Sequence, residues 1–324
     1  MTYTAAVAAT HDRTISRVLA HRCAVAEVFV TSMHAVADDE FVVGAQLPRM
    51  HAYYGDHSGA LALRHDPLLV MEAARQAAIA LTHEYYGVPT EAAFLVRTFN
   101  ATGSDTAAWE VGIAPADLVM TVRVPREHRR GEVLHGLDMV LDIACGDTPM
   151  ATVDGSFSWT TANHWAALRT GFRDSLGLGP FVGASALGER APAALVGREN
   201  WRNVVIGPPE IDGDRAIAQV VADLAHPFLF DHQLDHVPGS LLIEAARQTA
   251  LSMVLEETPK LVCVASAFDQ FVELDRPVHC HAEITDSGVE ATVVRCEIRQ
   301  AATVAARIDL EFAEEELVPD EAGG

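Results

Sequence analysis

Apolar and polar positions alternate along much of the chain. The alternation has period two and is rich in valine, threonine and phenylalanine, which is typical of half-buried β-strands. The strands predicted in this way are residues 25–31, 40–47, 118–124, 137–143 and 148–159 in the N-terminal half, and residues 203–206, 215–224, 261–264, 281–284, 290–298 and 303–312 in the C-terminal half. Two other stretches, starting near Leu68 and Ser240, are apolar almost all round and predict buried helices. One helix among several antiparallel strands in each half predicts an α+β unit with the sheet wrapped around the helix.

An internal repeat relates the two halves. The segment MEAARQAA at residues 71–78 recurs as IEAARQTA at residues 243–250, an offset of 172. Upstream, HAYYGDH at residues 51–57 matches HPFLFDH at residues 226–232, at an offset of 175. The difference of three residues falls in the connection between two elements, where loops vary in length. The sequence therefore predicts a duplicated domain.

The segment between the copies is rich in glycine, alanine and proline. It includes SLGLGPFVGASALGERAPAALVG, which has little periodicity and is typical of a linker. We therefore predict an N-terminal domain over residues 1–165, a linker over residues 166–197 and a C-terminal domain over residues 198–324. The length of 324 residues fits two domains of ordinary size.

Composition narrows the choice of partners. Aspartate and glutamate number 45 against 23 lysine and arginine, so the formal net charge is −22. This balance argues against nucleic acid as a partner, because such affinity comes largely from cations that neutralise phosphates. An anionic small substrate stays compatible with this net charge, because one arginine in the binding site is enough to pair with it. No apolar stretch approaches the ~20 residues that span a bilayer, and no signal peptide is evident. Five scattered cysteines without a CxxC pair complete the prediction of a cytoplasmic protein with reduced thiols and no membrane partner.

The repeated helix pairs a carboxylate with a guanidinium. In its EAARQ motif the glutamate and the arginine stand at i and i+3, so they share one face. Within an apolar helix they need each other or a ligand, because burial of an unpaired charge is expensive. A single EAAR would more often be a salt bridge on an exposed face, whereas recurrence in two apolar helices favours a functional site. The glutamine that follows either orients the carboxylate or is a packing or surface amide. The residues concerned are Glu72, Arg75 and Gln76 in the first copy and Glu244, Arg247 and Gln248 in the second.

The turn before the second helix differs from its counterpart. It reads DHVPGS at residues 235–240, with Ser240 as a possible N-cap. A proline–glycine turn lets backbone amides near Gly239 face a cavity, where a carbonyl oxygen or a phosphate could bind. The first copy has RHDP at residues 64–67 and lacks the glycine. This divergence favours one fully equipped centre, without indicating which half holds it.

Histidines and aspartates cluster in the loop before that turn. The residues are His226, Asp231, His232, Asp235 and His236. Imidazole and carboxylate suit zinc or iron, but the spacing matches no metal motif. Hydrogen bonding within the loop is the better hypothesis, and we predict no metal. The densest basic run, REHRR at residues 126–130, is either a contact for an acidic partner or a solvated turn.

The motifs resemble those of two related families. FLFDHQLDHVPGSLLIEAARQ resembles the signature of hotdog-fold 3-hydroxyacyl-ACP dehydratases, in which a loop histidine and a helix carboxylate do the acid–base chemistry. Here His232 precedes Glu244 by 12 positions and His57 precedes Glu72 by 15, so the loop lengths depart from the dehydratase pattern. The arginine three residues after each glutamate is a further departure, which suggests a phosphate or carboxylate ligand.

The closer resemblance is to the A-factor synthase (AfsA) family of actinobacteria. Its blocks HPFxFDHxxDHxPGxLLxEAARQ and HDPLLxxEAARQ occur here at residues 226–248 and 65–76. The resemblance implies a tandem hotdog fold whose halves pair as a pseudo-dimer. It also implies transfer of a β-ketoacyl group from an acyl carrier protein to a hydroxyl of dihydroxyacetone phosphate. The ester then closes to a butenolide phosphate, on the way to γ-butyrolactone or furan signalling molecules, without a cofactor.

The resemblance and the chemistry together suggest roles for the site residues. Glu72 or Glu244 would act as general base on the attacking hydroxyl, with a pKa that the apolar helix raises and the neighbouring arginine opposes. Arg75 or Arg247 would hold the acceptor phosphate, and amides near Gly239 would stabilise the thioester oxyanion. Further candidates for substrate contacts are Gln76, Gln248, His57 and His232.

Two other classes of function fit these motifs. A dehydratase or thioesterase acting on acyl-ACP would need His57 or His232 close to a helix glutamate and would not need the arginines. A non-catalytic acyl-binding or signal-binding protein would tolerate isosteric replacement of the glutamates. The duplicated arginines favour the phosphate-using transferase. The sequence leaves open the acyl chain length and branching, the final product and any homo-oligomer.

Overall fold

Strands outnumber helices in the molecule, which the computed structural model describes over residues 8–254, 259–288 and 291–313. The strands are β1 Val30–Ala37, β2 Glu40–Leu47, β3 Ala93–Gly103, β4 Ala116–Arg130, β5 Val133–Cys145, β6 Thr148–Thr160, β7 Glu210–Asp212, β8 Arg215–Gln219, β9 Lys260–Phe268, β10 Val278–Ser287, β11 Ala291–Gln300 and β12 Thr303–Ala313. The α-helices are α1 Pro67–Tyr86, α2 Ala162–Ser175 and α3 Gly239–Leu251. Single 3-10 turns lie at Val25–Glu27, Gly59–Leu63, Ala107–Trp109, Ala193–Val196 and Trp201–Asn203.

The strands of the described residues form one antiparallel sheet. Their order is β1-β2-β4-β5-β6-β3-β9-β12-β11-β10-β8-β7. Read from either end, each half contributes its elements in the same sequence, so β3 and β9 meet at the centre as counterparts. They pair antiparallel, with Thr98 opposite Ala267 and Thr102 opposite Cys263. The two halves therefore pair as a pseudo-dimer inside one chain, each with a central helix against its own part of the sheet.

Side chains reinforce the central junction. The Oδ1 atom of Asn100 on β3 accepts a hydrogen bond of 2.9 Å from the amide of Ser266 on β9. Its Nδ2 atom donates to Asp154 on β6 at 2.9 Å. The hydroxyl of Ser266 donates back to the carbonyl of Phe99. These polar groups thus connect the halves at the β3–β9 junction, where few backbone positions are paired.

The two central helices begin in different ways. Asp66 caps α1, since its side chain accepts a hydrogen bond of 2.8 Å from the amide of Leu68. The helix α3 begins at Gly239 after Pro238, without a side-chain cap. The prediction of Ser240 as N-cap is therefore wrong, because Pro238 holds the extended backbone of the capping position and Ser240 lies within the first turn.

Two of the predicted strands are only partly formed. In residues 25–31 a 3-10 turn occupies Val25–Glu27, and β1 starts only at Val30. In residues 203–206 a 3-10 turn ends at Asn203, and Ile206 forms an isolated β-bridge with Val220. Side chains from the central helices bind the backbone of both segments and satisfy polar groups that a longer strand would have paired.

The segment predicted as a linker contains the helix α2. Its two arginines are buried against the C-terminal half: Arg169 donates to Glu273 at 2.7 Å, and Arg173 donates to Asp275 at 2.7 Å. The glycine-rich and proline-rich part that suggested a linker lies after this helix. The domain boundaries at residues 165 and 198 stay a prediction.

Two further features concern the whole chain. The five cysteines are free thiols, and Cys280 and Cys296 are buried. Of the helices in the described ranges, none has the length and apolar character needed to cross a membrane.

We expect Asn100→Ala to lower the free energy of unfolding by about 1–3 kcal/mol, because the buried Ser266 amide loses its acceptor. Urea unfolding followed by circular dichroism measures this change. The control is Asn163→Ala on the exposed side of α2, which should stay within about 0.5 kcal/mol. Equal small effects in both variants would contradict the role of Asn100 at the junction.

Candidate functional site

Glu72 lies buried on α1, held by two arginines and a glutamine. Arg75 donates from Nε to Oε2 and from Nη2 to Oε1, both at 2.8 Å. Arg22 approaches Oε1 to 2.6 Å, and Gln76 donates to the same oxygen at 2.7 Å. Burial raises the pKa of Glu72, but Arg22 and Arg75 outweigh burial and lower the pKa to about 2. The expectation of a raised pKa is therefore wrong, because two guanidiniums act against one apolar helix.

Glu244 repeats this arrangement on α3. Arg198 donates from Nη2 to Oε1 at 2.7 Å, and Gln248 donates to the same oxygen at 2.6 Å. Arg247 pairs with Oε2 at 2.6 Å. All four side chains are buried. Burial raises the pKa of Glu244, while Arg198 and Arg247 hold it below its usual range.

The second arginine of each site was missed by the sequence reasoning. Arg22 and Arg198 each precede the sheet of their own half and are 176 positions apart, close to the offsets of the recognised repeats. The signal was weak: LAHR at residues 19–22 matches LVGR at residues 195–198 only in its leucine and arginine. Arg22 also reaches the carbonyl of Phe228 at 3.4 Å, and Arg198 reaches that of Tyr53 at 2.6 Å.

Each site therefore includes the loop of the opposite half. The amide of Cys23 donates to Asp231 at 2.7 Å, and the amide of Glu199 donates to Asp56 at 3.2 Å. These two aspartates are counterparts in the repeat. The rings of Tyr53 and Phe228, also counterparts, stack with centroids 5.0 Å apart. The two loops thus cross over one another between the helices.

The glutamines of the motif fasten the segments that carry the extra arginines. Gln76 donates to the carbonyl of Glu27 at 2.7 Å and accepts from the amide of Phe29 at 2.9 Å. Gln248 makes the equivalent two bonds, each of 2.8 Å, to the backbone of residues 203–205. Since each glutamine also donates to the helix carboxylate, it orients the glutamate and anchors the chain.

The loop histidine at the start of each HxxxxDH block is also engaged within the protein. The Nδ1 atom of His226 accepts from the amide of Leu229 at 3.1 Å, and its Nε2 atom lies 3.1 Å from the side-chain oxygen of Asn203. Burial lowers the pKa of His226 to about 4, so the ring is neutral at pH 7. These contacts agree with the hypothesis of hydrogen bonding within the loop.

A cavity of about 1530 Å³, called the chamber from here on, lies between α1, α2, α3 and the first residues of β3. Around Glu72 its polar lining includes His21, Arg22, Tyr54, Arg75 and His232, and four aspartates line other parts of it: Asp154, Asp231, Asp235 and Asp269. Apolar and aromatic side chains form much of the remaining wall, among them Met71, Ile79, Phe94, Phe157, Phe172 and Phe271. Gly239 and Ser240, at the start of α3, also line it. The volume exceeds the roughly 300–1,000 Å³ of an ordinary ligand pocket.

The equivalent region beside Arg247 is filled by a carboxylate. Asp66 accepts from Arg247 at 2.7 Å and lies 2.8 Å from Nε2 of His57. The counterpart of Asp66 in the repeat is Pro238, which has no carboxylate. The side chain of Arg75 is accordingly 26% exposed, whereas that of Arg247 is 4% exposed. A smaller cavity of about 230 Å³ borders Arg247, Asp66 and His57.

The predicted site residues therefore form two groups. In each group the loop histidine comes from one half of the chain and the glutamate from the other. Glu72, Arg75, His232 and Gly239 line the chamber. The second group, Glu244, Arg247, Gln248 and His57, belongs to the buried ion network around Asp66. Burial lowers the pKa of both His57 and His232, partly offset by a nearby aspartate in each case.

His21, which lines the chamber, pairs with the buried His83, and the sequence did not indicate this pair. The Nδ1 atom of His83 lies 2.7 Å from the carbonyl of Val88, and its Nε2 atom lies 2.9 Å from Nε2 of His21. The two rings stack with centroids 4.9 Å apart. Burial, together with His83 and Arg75, lowers the pKa of His21 to about 4.

The A-factor biosynthesis hotdog domain matches residues 4–161 and 184–313 of the chain. This chain belongs to that family. Two curated relatives carry the name 2-oxo-3-(phosphooxy)propyl 3-oxoalkanoate synthase. The one from Streptomyces virginiae is 35% identical over 271 residues, covering 83% of this chain and 87% of the relative. The one from Streptomyces coelicolor is 30% identical over 276 residues, covering 82% and 81%.

Solved structures share the fold of this family member at low sequence identity. The pyran synthase domain from module nine of the sorangicin pathway has a TM-score of 0.53 and 13% identity, covering 89% of this chain and 98% of that domain. A putative oleoyl thioesterase from Lactobacillus plantarum has a TM-score of 0.52 and 11% identity, covering 86% and 97%. With the two matched segments of the family, they confirm the tandem hotdog fold.

We expect Glu244→Gln to lower the free energy of unfolding by about 3–5 kcal/mol, because Arg198 and Arg247 keep a buried charge that the amide does not balance. The matched change Glu72→Gln should cost less, since Arg75 is partly exposed to the chamber. Urea unfolding of both variants at pH 7 measures the difference. A larger loss of unfolding free energy for Glu72→Gln than for Glu244→Gln would contradict the conclusion that the Glu244 site is the more buried of the two.

We also expect His21 to make folding sensitive to acid. Its pKa is depressed from 6.5 to about 4, so the stability it contributes is complete above pH 6.5 and is lost as the pH falls toward 4. In His21→Asn the free energy of unfolding should fall less steeply across that window, by up to about 1.4 kcal/mol per pH unit. The control His164→Asn, at an exposed position of α2, should retain the wild-type slope.

Proposed function

We propose that this chain is a 2-oxo-3-(phosphooxy)propyl 3-oxoalkanoate synthase that acts in the cytoplasm. In this reaction a β-ketoacyl group passes from an acyl carrier protein to the primary hydroxyl of dihydroxyacetone phosphate. The resulting ester closes to a butenolide phosphate, the precursor of a γ-butyrolactone or furan signalling molecule. The names of the two curated relatives support this proposal.

One observation carries the proposal from the structural side. The chamber joins a partly exposed arginine, Arg75, to a large apolar and aromatic wall. A guanidinium is the group of choice for a phosphate, and an apolar wall is suited to an acyl chain. A single cavity with both characters fits a reaction between a phosphorylated acceptor and an acyl donor.

The charges of the chamber suggest which group moves the proton. A carboxylate with a pKa near 2 is a weak base at neutral pH, so we assign Glu72 the positioning of Arg22 and Arg75 rather than proton transfer. His232 lines the same chamber, and burial lowers its pKa, so its imidazole is neutral and able to accept a proton. His232 is therefore the group that takes the proton of the attacking hydroxyl.

The remaining steps complete the transfer. As the hydroxyl oxygen bonds to the thioester carbon, negative charge collects on the carbonyl oxygen of the tetrahedral intermediate. The carbon–sulfur bond then breaks, and the departing thiolate takes the proton from His232.

We expect Arg75→Ala to reduce ester formation by about 10²–10³-fold, because a charge-assisted contact with the phosphate is worth several kcal/mol. The protein is incubated with a β-ketoacyl thioester and dihydroxyacetone phosphate, and products are followed by mass spectrometry. Arg49→Ala, which changes an exposed arginine bound to the carbonyl of Gly112, is the matched control and should keep wild-type activity. Hydrolysis or dehydration of the thioester without consumption of the acceptor would instead indicate a thioesterase or dehydratase.

A further inference from the structure

Asp66 is the internal anion of the buried site that contains Glu244 and Arg247, called the sealed site from here on. Its carboxylate accepts hydrogen bonds from Nη1 of Arg247 at 2.7 Å and from the amide of Leu68 at 2.8 Å. It also lies 2.8 Å from Nε2 of His57. The carboxylate is fully buried. A guanidinium, an imidazole and a helix amide thus surround one anion.

Each of these three partners has a counterpart at the chamber. Arg75 is the counterpart of Arg247 and Ser240 that of Leu68, both at an offset of 172, and His232 is the counterpart of His57 at an offset of 175. All three counterparts line the chamber. The surroundings of the histidines also correspond, because the charge of Arg22 lowers the pKa of His232 just as the charge of Arg198 lowers the pKa of His57.

The group that differs is the anion itself. At the same offset of 172 the counterpart of Asp66 is Pro238, an apolar residue whose ring also lines the chamber. We infer that the phosphate of the acceptor binds in the chamber between Arg75, His232 and the amide of Ser240. This position corresponds to that of the Asp66 carboxylate in the sealed site. The identity of the anion as this phosphate rests on the proposed function, whereas the anion subsite itself rests on the repeat.

A phosphate suits this subsite better than a neutral carbonyl oxygen. Arg75 is partly exposed to the chamber, and the two guanidiniums of Arg22 and Arg75 share the single carboxylate of Glu72. The start of α3 adds the positive end of a helix of 13 residues without an acidic cap. In α1 the same place is occupied by the carboxylate of Asp66, so the two copies differ at the residue that corresponds to the subsite.

Exchange of the differing residue tests the subsite. Pro238→Asp should place a carboxylate beside Arg75 and Ser240, in the manner of Asp66, and aspartate is a preferred N-cap, so the helix should remain stable. Pro238→Asn is the matched control, because asparagine caps equally well without the charge. The measurement is calorimetric titration of the full chain with glycerol 3-phosphate in the absence of acyl donor. We expect binding to weaken at least ~100-fold in the aspartate variant and to change less than ~3-fold in the asparagine variant.

The other outcomes overturn the inference. Equal binding by Pro238→Asp and the wild type would place the phosphate elsewhere, and equal loss in both variants would mean that the proline ring, and not charge, matters. Loss of acyl-thioester binding with intact glycerol 3-phosphate binding would assign the position to the thioester carbonyl. The proposed function is tested separately by ester formation in the wild type. A wild type that binds glycerol 3-phosphate but forms no ester would refute that function and leave the subsite standing.

Discussion

The structure depends on the burial of two glutamates inside apolar helices. Each carboxylate needs cations, because a buried charge without a partner costs several kcal/mol. Glu72 receives one arginine from its own helix and a second, Arg22, from the segment before the sheet. The same guanidinium then binds the loop of the opposite half through the carbonyl of Phe228. Pairing of the helix charges therefore also fixes how the two halves meet.

The two copies of the repeat have diverged beside their arginines. Asp66 in one copy corresponds to Pro238 in the other. The aspartate caps α1 and pairs with Arg247, which belongs with Glu244 to a buried ion network. The proline provides no side-chain cap for α3, and Arg75 is partly exposed beside the chamber. The two carboxylate–arginine sites therefore differ in their access to a cavity.

The position of the helix α2 is fixed by ion pairs. Its arginines, Arg169 and Arg173, are buried against Glu273 and Asp275 of the C-terminal half. This anchoring holds the apolar face of α2, with Trp165 and Phe172, over the chamber. The connection between the halves is thereby part of the chamber wall.

The sequence by itself determined the repeat, both central helices and the paired charges of the EAARQ motif, since each motif consists of residues close together along the chain. The tandem hotdog fold was predicted from the resemblance of these motifs to those of a known family, and the strand pattern agrees with it. Tertiary structure alone decided the rest. Arg22 and His21 stand 50 and more positions before the residues they meet, Glu72 and His83, in a segment with little repeated pattern. The sequence also did not indicate that each loop pairs with the helix of the opposite half. Spacing along the chain relates His232 to Glu244, whereas the crossing of the loops places His232 in the chamber with Glu72. Which of the two carboxylate–arginine pairs borders the chamber depends on packing between the two halves, and the pKa of each glutamate depends on burial and charges that exist only once the halves have folded together.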